Sequence, residues 1–126
     1  MNPKNKNKYA RGNVADFLDT RGYFIGKFMG KKGFPLLETE EVEVAWRILP
    51  AAFDDNTSHY HKRGVEIMIV ASGSYKVRVN GEDLELIKSD FIVVYPETHL
   101  KSISAEEGTE LIVIKAPSLE NDKFYT

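Results

Sequence analysis

The sequence predicts an all-β domain, an antiparallel barrel or sandwich introduced by one short helix. Apolar residues recur with a period of two in several short segments, tight-turn signals separate those segments, and helical periodicity is absent beyond Leu18. A chain of 126 residues has the size at which one hydrophobic core forms, so a single domain is expected.

Residues 1–11 read as a flexible basic tail, because Lys4, Lys6, Lys8 and Arg11 stand among Asn2, Asn5 and Asn7 with no acid and almost nothing to bury. The alternative for this tail is a basic arm resting on phosphates. The domain proper occupies residues 12–126. Asn13 predicts the N-cap of a short helix over residues 14–18, with Asp16 in its first turn and Arg21-Gly22 closing it, as a lid on one barrel end. A strand follows over residues 23–29. Val42, Val44, Trp46 and Ile48 then share one face while Glu41, Glu43 and Arg47 share the other, the pattern of a half-buried strand, ended by Pro50.

Further strands are expected over residues 65–71, 75–79, 84–87, 91–95 and 110–115. Asn80-Gly81 predicts a type I′ hairpin turn, and Ser72-Gly73-Ser74 joins two more strands. Many short strands with tight turns mean a sandwich or a barrel, and closing the sheet removes edges that would invite aggregation.

The composition is 42% hydrophobic and 29% charged with a formal net charge of -2, which gives no ground for a nucleic-acid partner. The absence of cysteine excludes disulfides, thiolate metal sites and cysteine nucleophiles, so any metal must take nitrogen and oxygen ligands. The start of the chain lacks the apolar stretch of a signal peptide, and apolar runs such as residues 67–71 are too short to span a bilayer. A cytoplasmic protein without a membrane partner is therefore expected. Asn56-Thr57-Ser58 matches a glycosylation sequon that has no consequence without secretion.

The chain has three histidines, and two of them form His59-Tyr60-His61. On an extended strand, side chains two apart project to the same face about 6 to 7 Å from each other, so both imidazoles can turn to one ion while Tyr60 points away. Beyond Lys62-Arg63-Gly64, whose composition suits a hairpin reversal, Glu66 opens the run Ile67-Met68-Ile69-Val70-Ala71. That is a costly place for a carboxylate unless a cation or hydrogen-bond donors meet it. Two imidazoles and one carboxylate on one face form the donor set of non-haem iron, and manganese, nickel or zinc also accept it. The competing reading makes all three residues solvated strand positions.

Residues 58–118 resemble the cupin superfamily. Its first motif reads His-x-His, three or four residues, Glu, six residues, Gly, and His59, His61, Glu66 and Gly73 fit each spacing; the family's leading Gly falls at Phe53. The stretch from Lys88-Ser89-Asp90 through Tyr95-Pro96 to His99 resembles the second motif, with Ser89 where Gly is usual. The family's last ligand histidine would fall at Lys101 or Leu100, one or two residues beyond His99. A two-residue offset keeps His99 on the ligand face as a substitute, whereas a one-residue offset turns it outward. The end of the chain, Ile112-Val113-Ile114-Lys115-Ala116-Pro117-Ser118 with Asn121-Asp122-Lys123, is similar to a group of small single-domain cupins.

The resemblance implies a cupin-type antiparallel β-barrel, also described as a double-stranded β-helix or jelly roll, that holds a divalent metal ion through His59, His61, Glu66 and His99. Trp46, Tyr75 and Tyr95 are candidate pocket aromatics for a small organic ligand, and Lys101 is a candidate attractor for an anionic one or a neutraliser of Glu66. Three functions compete. The first is a metal-binding cupin that acts on or binds a small polar or anionic metabolite, with isomerase, epimerase, dioxygenase or decarboxylase chemistry open to it. The second is a non-catalytic sugar or metabolite binder with a degenerate metal site, and the third is a metal-independent sugar-nucleotide isomerase with a histidine base. A homodimer paired sheet to sheet is expected.

Overall fold

The computed structural model describes residues 7–53 and 58–126, and within them ten strands form two five-stranded antiparallel sheets. Most of the basic tail and most of the sequon lie outside the described residues. The first sheet runs β1 (Tyr23–Ile25), β2 (Glu43–Leu49), β9 (Thr109–Ala116), β4 (Val65–Ser72), β7 (Phe91–Val94). The second runs β10 (Lys123–Tyr125), β3 (His59–His61), β8 (Leu100–Ala105), β5 (Ser74–Val79), β6 (Glu82–Ile87).

The expected closed barrel is replaced by this open pair of facing sheets. The chain crosses between them at Ser72-Gly73-Ser74, where Gly73 has φ 87 and an added Cβ would collide with the Thr109 side chain. Only glycine meets both demands of that corner.

The expected N-terminal helix is a 3-10 helix over Val14–Thr20. The Asn13 carboxamide oxygen does accept from the Ala15 N–H, and Arg21 at φ 60 does close the segment onto the Phe17 carbonyl. Of its described side chains Phe17 is the buried one, packed against Phe34 with ring centroids 5.2 Å apart. One anchor does not impose the 3.6-residue stripe that favours an α-helix.

Asn80 at φ 47 and Gly81 at φ 84 make the expected type I′ turn between β5 and β6. The first strand is shorter than expected, because the Gly26 carbonyl already accepts turn hydrogen bonds from Met29 and Thr39.

The core between the sheets includes Ala45, Leu49, Met68, Val70, Val77 and Leu111. Ala45 and Leu49 settle the orientation of β2, and it is the reverse of the apolar-face-inward reading. Val44, Trp46 and Ile48 turn outward, while Glu43 and Arg47 turn toward the interior. The neighbouring strands explain this. Val44, Ile114, Ile67 and Val93 align across four strands, as do Trp46, Ile112, Ile69 and Phe91, so the outer face carries two apolar rows of its own.

Candidate metal centre

His59 and His61 project from the same face of β3, and Glu66 projects from β4 in the opposite sheet. The reversal over Lys62-Arg63-Gly64 is thus a crossing between sheets, not the expected hairpin. It brings Glu66 Oε1 to 3.8 Å from His59 Nε2 and 3.7 Å from His61 Nε2. Donor atoms of the three side chains all lie within 4.8 Å of one another.

Two atoms of this group, His61 Nε2 and Glu66 Oε1, are buried and have no hydrogen-bond partner. Leaving such atoms unpaired costs about 1 to 3 kcal/mol each, and more for a charged group. A cation between the three side chains would satisfy both, so the residues present fit a divalent ion held by nitrogen and oxygen.

Burial pushes the Glu66 carboxyl up, but the His59 and His61 imidazoles and the Lys115 charge outweigh it and hold the group well below the usual carboxylate range. Lys115 faces Glu66 across the β4–β9 ladder. Its Nζ lies 3.1 Å from the Tyr23 hydroxyl and 3.8 Å from Glu43 Oε2. Burial alone would lower its pKa, yet Tyr23, Glu66 and Glu43 together raise it, so Lys115 stays charged.

Asp122 braces the centre from behind. Its carboxylate accepts the backbone N–H groups of Lys62, at 3.1 Å, and of Gly64, at 2.9 Å, and also that of Arg63 between them. Its main-chain carbonyl lies 3.0 Å from His61 Nδ1. A Cβ at position 64 would come within 3.1 Å of Asp122 Oδ2, which explains the glycine of the reversal. Sequence reasoning gave Asp122 no role; its signal was the Asn121-Asp122-Lys123 match at the end of the chain.

The centre opens on a cavity of about 380 Å³ between the sheets. Of the four residues expected to bind substrate, Tyr75 lines it, with its hydroxyl hydrogen-bonded to Ser102. Trp46 points to the outer face and donates its indole N–H to Glu110 at 3.3 Å. Tyr95 is 64% exposed beyond the end of β7. Lys101 pairs with Arg78 on β5 and so alternates away from its neighbours Leu100 and Ser102, which both line the cavity.

His99, expected as a fourth ligand, is not brought to the group. Leu100 lies directly opposite His59 and faces the cavity, so the offset is one residue and His99 turns outward. Its ring packs on Tyr60 with centroids 4.8 Å apart, and Tyr60 in turn stacks on Phe124. Ser89, where the motif carries glycine, adopts φ 76, a backbone conformation that glycine favours.

Neither a family model nor a curated protein matches the chain by sequence. Solved structures do match. A cupin protein from Bacteroides fragilis is 25% identical over 92% of this chain and 91% of that one, with a TM-score of 0.66. A conserved protein with a double-stranded β-helix domain from Klebsiella pneumoniae is 20% identical over 72% and 79%, with a TM-score of 0.60. KdgF from a Halomonas species is 20% identical over 66% and 74%, with a TM-score of 0.59. Two facing antiparallel sheets and these likenesses agree: in fold, the chain is a small cupin.

Proposed function

We propose that the protein holds a divalent metal ion through His59, His61 and Glu66 and binds or transforms a small polar or anionic metabolite in the adjoining cavity. The observation that carries this reading is the convergence of two buried, unpartnered polar atoms, His61 Nε2 and Glu66 Oε1, with His59 at the cavity wall. A bound ion of this kind supplies polarisation of a substrate oxygen or activation of water or dioxygen. Around it, Lys115 adds its charge to the effect of the two imidazoles on Glu66, Asp122 fixes His61, and Tyr75 with Ser102 offers hydroxyls to a ligand. Metal analysis of protein purified without added metal tests the reading. Stoichiometric metal in the native chain, lost in His61→Ala and Glu66→Ala, is expected. Equal metal content in all three samples would remove it.

One observation favours a second reading, a metabolite-binding module without metal. Leu100 occupies the inward position where the family's last ligand histidine would fall, so three side chains remain where four are usual. In this reading His59 and His61 hydrogen-bond the ligand directly, and binding survives exhaustive chelation.

The two outer apolar rows support a homodimer in which a second copy covers the first sheet. Phe91, at the end of one row, is 67% exposed, Ile48 beside the rows on the same face is 47% exposed, and a two-fold axis would set the face against its own counterpart. Sedimentation velocity on native protein and on Ile112→Glu tests this arrangement: a dimer that the variant converts to monomer is expected.

A further inference from the structure

Arg47 is a partly buried residue on the cavity wall, and among the described residues no carboxylate pairs with it. That is an expensive way to keep a cation unless something else meets it. The other charges of the cavity sharpen the point. Lys115 is already engaged with Glu43 and Glu66, but Arg21 and Lys123 also line the cavity and are exposed, so its open side is cationic. Low-dielectric walls focus such a field and raise the local concentration of anions.

The position of Arg47 sets what the anion must look like. On the β9 ladder Arg47 stands opposite Leu111, whereas Glu66 stands opposite Lys115. Four residues of strand separate these points by roughly 13 Å. Between them the wall carries the apolar side chain of Val113, two residues from each point along β9. The long arginine side chain takes up part of the separation, and the remainder accommodates a molecule of a few carbons. The planar guanidinium presents paired N–H donors that match a carboxylate in bidentate fashion.

We infer that the cavity takes a small carboxylic acid, with Arg47 seating its carboxylate and its other polar end directed to the His59, His61 and Glu66 group. This deepens the proposed function by naming its substrate class, and it rests on that reading only for what happens at the far end of the ligand. Arg47 is a specificity residue: it discriminates acids from neutral polyols of the same size.

Calorimetric titration at low ionic strength with matched pairs tests the inference. Malate is set against butane-1,2,4-triol, and galacturonate against galactose, on native protein and on Arg47→Gln and Arg47→Lys, with metal content measured in every sample. At least one acid is expected to bind the native protein tenfold or more tightly than its neutral partner. Arg47→Gln is expected to bring the two within threefold of each other, Arg47→Lys to retain part of the preference, and both to keep the native metal content. Acids that bind no better than neutral partners, acids that do not bind at all, or an acid preference unchanged in Arg47→Gln would overturn it. The same titrations after chelation separate the two readings. An Arg47-dependent preference in a protein that never held metal leaves the anion site standing while the metal centre falls.

Discussion

His61 Nδ1 lies 3.0 Å from the main-chain carbonyl oxygen of Asp122. A carbonyl only accepts, so Nδ1 carries a proton toward Asp122, and Nε2 is the ring nitrogen turned toward Glu66. The tautomer required of a metal ligand is therefore set by a residue of the C-terminal segment, 61 positions away in sequence.

Asp122→Ala is expected to damage both the bend and the centre. It strips the acceptor from the N–H groups of Lys62, Arg63 and Gly64, the last of them buried, and the loss is about 2 to 4 kcal/mol of stability. Asp122→Asn keeps one acceptor oxygen and is expected to lose less. Urea denaturation measures the stability, and a competitive chelator measures metal affinity, which is expected to fall 10-fold or more in Asp122→Ala. Native-like affinity in that variant would show that the bend holds itself.

The offset at His99 makes a second prediction. His99 belongs to the outer stack with Tyr60, so His99→Ala is expected to leave metal content unchanged and to cost about 0.5 to 1.5 kcal/mol of stability. Leu100→His points an imidazole into the cavity opposite His59 and is expected to tighten metal binding. Metal analysis and chelator competition on both variants read the outcome. Metal lost from His99→Ala would place that ring at the ion after all.

These positions show how far the sequence is readable. His59, His61 and Glu66 were legible because a period-two strand puts residues two apart on one face, and because a carboxylate at the head of an apolar run is costly without a partner. The turn at Asn80-Gly81 was legible for a similarly local reason, the demand for positive φ at two successive residues. The orientation of β2 was not. Alternation reveals two faces, but which one is inside depends on the rows that β9 and β4 set beside it and on the cavity that Arg47 lines. Strand β8 escaped for a related reason: Ser102 faces the cavity from a position where an apolar residue would have signalled a strand. Strand β10 has three residues, too few for any period to show.

Tyr75 gives the protein an alkaline limit. Burial raises its phenol above the ordinary value, the hydrogen bond with Ser102 opposes that, Glu66 adds to the rise and Arg47 subtracts from it. A folded value above the unfolded one means that the unfolded chain releases this proton first as pH increases. The contribution to stability is whole below about pH 10, the ordinary tyrosine value, and is lost as pH climbs toward the folded value. At pH 8, Tyr75→Phe is expected to be less stable than native by about 1 kcal/mol, the worth of the hydroxyl's hydrogen bond. That gap narrows above pH 10, because only the native chain then pays for keeping a phenol protonated. Urea midpoints of the two proteins from pH 8 to 11 measure it, and a gap that stays constant would mean that the Tyr75 hydroxyl ionises as freely in the folded protein as in the unfolded one.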